Sequence, residues 1–364
     1  IVQVNTQELL SLLPSPTPIL MGELAQQQSS LTLNVDLLED NLLVCCDKKE
    51  NKEILTKNMA AQLISNGKKV LILDLEGQMP SSLKAGENFK LPLDYETINF
   101  IYEKGLEDAS RESKALIQDV FLEVQNYVKT LDEKFIPFET FKSVVDSQYQ
   151  ETGLVELVLL KNKLLKFKEQ GVFAQSQNEF KVLENSLAQN QITVIDLSDA
   201  DSLIQREIIS YVYSIVNQAE PKVYAIVNLT NLNSDKKLLK QIFTSKSAYS
   251  TLLCPYSYKY LTELKQVSKN LVMFAPIQQQ NDFASYGTFL NKLNPDEFVI
   301  WGKASHHMPL IVKLDETPKE AMKDIPGEPV QMIQPEIMEE IEQFAPQTSE
   351  KETEIEPEAD IQTI

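Results

Sequence analysis

The stretch Asn41-Leu42-Leu43-Val44-Cys45-Cys46-Asp47-Lys48-Lys49-Glu50-Asn51-Lys52-Glu53-Ile54-Leu55 decides how the chain is read. Its opening apolar run predicts a buried strand over 41–45. Leu55, Met59 and Leu63, at four-residue spacing, predict one face of a helix. A strand, a tight turn and a helix form the setting in which GxxxxGK[ST] cradles a phosphate with backbone amides. Laid without a gap over Cys46 to Glu53, that pattern keeps its lysine as Lys52. Its two glycines have become Cys46 and Asn51, and its hydroxyl position has become Glu53. Side chains at the former glycines obstruct the amide cradle, and a carboxylate at Glu53 repels phosphate. Taken alone, Lys48 to Glu53 reads as a charged loop, because in a chain with 32 lysines a single matching lysine carries little weight.

Working outward, short β-rich runs alternate with amphipathic helical segments, the rhythm of a doubly wound sheet with helices on both faces. Strands are expected at Asn41–Cys45, Lys69–Asp74, Ile192–Asp196, Val223–Asn228, Ser250–Cys254, Asn270–Phe274, Glu297–Trp301 and Pro309–Lys313. Between the second and third lies a long helical detour. It carries Ile117, Val120, Phe121, Val124 and Val128, then Leu157, Leu160, Leu164 and Phe167, at helical spacing. The expected organisation is a β-rich lead-in (1–40), a first α/β part (41–102), a helical insertion (103–190), a second α/β part (191–314) and a tail (315–364). Lys161, Lys163, Lys166 and Lys168 read as a solvated helix side.

Composition narrows the function. The chain has 364 residues with 43% apolar and 24% charged residues, which is the make-up of a globular protein of about two domains. Ten glycines are under half the usual share of about 7%, so few positions can bring bare backbone to a ligand. Only Arg111 and Arg206 offer a bidentate fork for phosphate. The net charge is −19, of which the tail from Asp315 onward carries −12 with fifteen acids and three lysines. The remainder is mildly acidic and disfavours broad nucleic-acid binding. Cys45, Cys46 and Cys254 form no metal-ligand spacing, which fits a reducing, cytoplasmic setting. No apolar run reaches the length of a membrane span. Ile1 is not an initiator residue, which leaves room for upstream sequence.

The tail is rich in proline and glutamate and is expected to be disordered. Within it, residues 335–344 place Ile337, Met338, Ile341 and Phe344 on one helical stripe. This is a candidate docking helix for a protein partner, or for the chain's own folded part.

Leu42-Leu43-Val44, the loop, Leu55 to Leu63, Gly67-Lys68-Lys69-Val70-Leu71-Ile72-Leu73-Asp74-Leu75-Glu76-Gly77, Ile192 to Ser198 and Gly302 to Leu314 resemble the HerA central-domain family. The resemblance implies a three-layer P-loop NTPase-like (RecA/HerA-like) α/β fold and kinship with hexameric ATPases related to FtsK-type DNA translocases. It also implies where chemistry should sit. Where the family has Asp-Pro-His-Gly-Glu-Tyr, this chain has Asp74-Leu75-Glu76-Gly77-Gln78-Met79. Where the family ends a strand in the Asp-Glu pair that holds magnesium and polarises water, Val223–Val227 is followed by Asn228-Leu229. An amide is a weak magnesium ligand, and leucine takes no proton. The strand ending Cys254-Pro255-Tyr256 lacks the glutamine of relatives, and the nearest cation to an arginine-finger position is Lys246. Concerted loss of cradle, metal ligand, base and finger implies a framework kept without its chemistry.

Other constellations read more plainly. Adjacent His306 and His307 point to opposite faces of an extended segment and make a poor metal pair. Asp201 or Ser202 is expected to cap the helix that follows. Asp74 and Asp196 read as solvated acids at strand ends. The expected function is that of a pseudo-ATPase with an assembly, scaffolding or regulatory role, without catalytic residues, metal or cofactor. Its expected partner is a protein, either an active HerA-like ATPase or further copies in a ring, with no high-affinity nucleic-acid ligand and no membrane. The alternatives are an active DNA translocase of the HerA/FtsK type using ATP and Mg2+, and a scaffold acting through its acidic tail.

Overall fold

The computed structural model describes residues 18–25, 29–34, 41–106, 109–132, 134–229, 236–243, 249–277, 287–305 and 307–314. The tail helix expected at 335–344, His306 and Lys246 lie outside the described residues, as do the side chains of Lys163 and Lys166.

The described residues form one eleven-stranded sheet. Its strands are β1 (Pro18–Leu24), β2 (Ser29–Asn34), β3 (Leu42–Cys45), β4 (Lys69–Asp74), β5 (Leu83–Lys84), β6 (Ile192–Asp196), β7 (Val223–Asn228), β8 (Tyr249–Cys254), β9 (Asn270–Phe274), β10 (Glu297–Gly302) and β11 (Leu310–Leu314). Their spatial order is β2-β1-β11-β10-β9-β3-β8-β7-β4-β6-β5. From β9 to β5 every neighbouring pair is parallel. From β9 outward through β10, β11, β1 and β2 every pair is antiparallel.

The parallel strands are apolar at successive positions because both faces are covered. Leu43, Cys45, Leu71 and Leu73 join one core, while Leu42, Val44, Val70 and Ile72 join the other. Helix α1 (Lys49–Ser65) covers the second core with Leu55, Met59 and Leu63, each burial contributing about 1.5–3 kcal/mol. The first core is covered by α2 (Tyr95–Gly105), α3 (Arg111–Thr130), α4 (Phe138–Thr152), α5 (Val155–Glu169) and α7 (Val182–Gln189) of the helical segment, which also contains the short α6 (Gln177–Phe180), and by α8 (Ser202–Val216). The shorter α9 (Lys236–Phe243), α10 (Leu261–Val267) and α11 (Gly287–Leu290) complete the described α-helices, and a 3-10 turn spans Lys303–Ser305.

The helical segment shares one continuous core with the sheet. Ile117, Phe121 and Val124 cluster with Leu71, Ile195 and Val227. Its attachment relies on a backbone crossing near β5, where Gly86 and Gly171 are both left-handed (φ +82° and +63°). A Cβ on Gly86 would stand 2.0 Å from the Gln170 carbonyl oxygen, so only glycine allows the approach. On the exposed side Lys161 pairs with Asp146 at 2.7 Å, and Lys168 pairs with Glu139. No described helix is long and apolar enough to cross a membrane.

Four of the expected strands, β4, β6, β7 and β9, have the expected ends, and the others shift by one residue. Asp201 caps α8, accepting from the amides of Leu203 (2.9 Å) and Ile204 (3.0 Å). Two expectations are corrected. Lys48 to Glu53 is not a loop, because α1 begins at Lys49 and only residues 46–48 connect it to β3. Asp74 is not solvated: it is 4% exposed and is consumed by its own loop, as described next.

Candidate functional site

In a doubly wound sheet, ligands gather at the carboxyl ends of the strands where the chain's progression across the sheet reverses. Here that point is β3, flanked by β8 and β9, with α1 following directly. The three-residue connection leaves no length for a phosphate-encircling loop. Asn51, Lys52 and Glu53 are wound into the first two turns of α1.

The connection is tied down by the protein itself. Cys46 donates its backbone N–H to Cys254 O at 2.9 Å. The Asp47 carboxylate accepts from the amides of Tyr256 (2.9 Å) and Ile277 (3.1 Å), joining the ends of β3, β8 and β9. Sequence reasoning passed over Asp47. Its signal was an acid directly after a buried strand, where free amides of neighbouring loops converge.

Lys52 is buried, and its Nζ lies 2.7 Å from Glu76 Oε1. The two side chains are 3% and 0% exposed. Glu76 belongs to the segment after β4, whose course is fixed by Asp74. Asp74 Oδ1 accepts from the amides of Glu76 and Gly77 at 3.0 Å each, and Oδ2 accepts from Met79 at 2.7 Å. Burial raises the Asp74 pKa, and those amides hold the rise back.

Gln78 and Asn228 line a small cavity with Lys52, Glu53 and Asp74, between α1 and the ends of β4, β7 and β8. It measures about 20 Å3, room for roughly one water. A phosphoryl group would have to displace the Lys52–Glu76 pair to enter. Asn51 turns away and donates to Pro295 O at 2.7 Å, while Glu53 pairs with Lys57 along the helix. Leu229 is fully buried in the first core, on the other side of the sheet from this cavity.

The structure therefore gathers Lys52, Glu53, Asp74, Gln78 and Asn228 at one place and leaves Asn51 and Leu229 out of it. Cys45 and Cys254 face each other in register, and all three thiols are free and buried. Burial lifts Cys45 well above the ordinary thiol range and pushes Cys46 up to about 12, so neither is reactive. Among the described residues no group of three or more His, Cys, Asp or Glu side chains is arranged to hold a metal ion.

This architecture matches solved structures closely in extent and distantly in sequence. VirB4 of Thermoanaerobacter pseudethanolicus superposes with a TM-score of 0.62 at 13% identity, over 85% of this chain and 99% of that one. The chain has a P-loop NTPase fold. The plasmid coupling protein TrwB, solved with the GTP analogue GDPNP and with ADP and Mg2+, superposes with TM-scores of 0.55 and 0.54 at 11% identity, over 86% of this chain and 93% of TrwB. No family model and no curated protein sequence matches the chain. At these identities the likeness is one of fold.

Proposed function

We propose that this P-loop NTPase-fold protein is a HerA-like pseudo-ATPase, serving assembly or regulation through a protein partner in a cytoplasmic setting. The observation that carries the reading is the buried Lys52–Glu76 pair. A phosphate-binding lysine must offer its charge to the ligand, whereas this one is compensated from within, in a space of about 20 Å3. Asp74 has its oxygens directed at its own loop amides, and the position of the water-activating acid is the buried Leu229. Loss of individual phosphate-stabilising groups typically costs about 10²–10⁵ in rate, so their combined loss brings hydrolysis near background. The residues present do not fit a nucleotide triphosphate with its metal.

The test is a thermal-shift titration of the full chain with Mg-ATP, beside phosphate-release assays, for the parent and Lys52→Ala. The expected result is no saturable shift and no hydrolysis attributable to Lys52. A stabilisation by ATP that disappears in Lys52→Ala would sink the reading. The partner proposed is an active ATPase of the same fold, or further copies in a ring. A solution mass measurement separates these, and removal of residues 335–364 is expected to abolish partner capture.

One observation favours the alternative of a working ATPase: Lys48, Lys49 and Lys52 all lie at the amino end of α1, the positive pole of the helix, which attracts anions. That reading requires Glu76 to swing away from Lys52 when nucleotide binds, and the same titration decides it.

A further inference from the structure

A larger cavity, of about 510 Å3, opens at the opposite ends of the parallel strands, where Lys69 begins β4 and Val223 begins β7. Its volume lies within the range of roughly 300–1,000 Å3 usual for small-ligand sites, and it shares no lining residue with the Lys52 cluster. The helical segment forms one wall and α8 the other.

The apolar part of the lining combines three aromatic rings with aliphatic side chains such as Leu187, Ile215 and Val223. Phe135 and Phe180 meet edge to face with centroids 4.8 Å apart, and Tyr211 of α8 faces the same space. The charged part holds three carboxylates against two lysines. Asp94 is half-buried in the wall and accepts from the Thr97 amide at 2.9 Å, while Glu184 and Glu220 stand on the exposed rim.

Two neighbouring groups on α8 are shifted first by burial and second by these carboxylates. Glu207, one helical turn before Tyr211, is 8% exposed, and no hydrogen bond among the described residues reaches its carboxyl. Burial, then the charge of Asp94, push its pKa up to about 8. The Tyr211 hydroxyl is raised by burial, then by Glu184 and Asp94.

Two lysines line the cavity. Lys69 is committed, its ammonium donating to the carbonyls of Leu187 and of Ala188 (3.0 Å) at the end of α7. It shows that the carbonyl pole of that helix already holds one ammonium in this wall. Lys134 is exposed at the rim and makes no ion pair among the described residues.

We propose that this cavity binds a small organic cation, a primary ammonium on a short aromatic body. The ammonium sits between Asp94 and Glu184, and the body lies against Phe135, Phe180 and Tyr211. Charge selects the head, and aromatic faces, which attract both apolar surface and cations, select the body.

The experiment is isothermal titration of the full chain at pH 7 with phenethylamine and, as its uncharged counterpart, 2-phenylethanol. Parent, Asp94→Asn and Glu184→Gln are compared after circular dichroism shows native helix content. Asparagine still offers an oxygen to the Thr97 amide at the start of α2, and Glu184 is exposed, so both substitutions are compatible with the fold. The expected result is saturable phenethylamine binding by the parent, weakened about tenfold or more in either folded variant, and no saturable binding of the alcohol. Absence of saturable amine binding, equal affinity for amine and alcohol, or unchanged affinity in the variants would each overturn the proposal. None of these outcomes bears on Lys52 and ATP.

Discussion

Lys52 Nζ and Glu76 Oε1 stand 2.7 Å apart with both side chains withdrawn from solvent, a lysine from the first helix after β3 joined to a glutamate from the turn after β4. A buried pair of this kind is worth little relative to apolar residues of the same volume, but breaking it strands a charge. Lys52→Met is therefore expected to lower unfolding stability by about 3–5 kcal/mol. The double variant Lys52→Met with Glu76→Leu should recover most of that loss. Urea denaturation midpoints check both. A single variant as stable as the parent would show that the pair is not buried in solution.

Glu207 carries a pH signature. Its folded pKa of about 8 exceeds its ordinary 4.5, so between those values the folded state holds a proton that the unfolded chain releases. Stability on this account falls as pH rises from 4.5 to about 8 and then levels off, the total being on the order of a few kcal/mol. Glu207→Gln should flatten the profile, gaining on the parent at pH 8.5 and not at pH 4.5. Denaturation at those two values checks it, with Asp94, Glu96 and Arg206 left in place as the charges that face the group.

The thiols supply a direct measure of packing. Cys45, Cys46 and Cys254 are each fully buried, and thiolate formation at Cys45 and Cys46 is opposed by desolvation. A thiol reagent should titrate none of the three in native protein and all three in guanidinium. Rapid native reaction would place the connection after β3 in solvent.

Gly86 tests the seam between helical segment and sheet. Gly86→Ala is expected to destabilise by more than the roughly 1–3 kcal/mol of backbone strain alone, since the Gln170 carbonyl must also move. Gly153→Ala, left-handed but with open space around it, should cost only the strain. Paired thermal unfolding separates the two.

The sheet was legible in the sequence because parallel strands buried on both faces leave unbroken apolar runs, as in Val70-Leu71-Ile72-Leu73. The β1–β2 hairpin was visible only as β-rich sequence, since its pairing with β11 is set by register between distant segments. Lys52 shares a helical stripe with Leu55, Met59 and Leu63, which was a readable sign of burial and hence of a need for a counter-charge. Which acid supplies it depends on how Asp74 folds its loop, and no spacing rule encodes that. The second cavity was invisible for the same reason: Asp94, Glu184 and Tyr211 are distant in sequence and meet only through packing.

β1 pairs with β11, Gly22 opposite Leu314, so the first of the described strands waits for the last of them. Nearly three hundred residues separate the two. At a synthesis rate of about 5–20 residues per second, the nascent hairpin spends on the order of 15–60 s with one edge uncovered. A ribosome-bound fragment ending before β10 would accordingly present that edge to any strand nearby, making chaperone demand during translation a property of this topology.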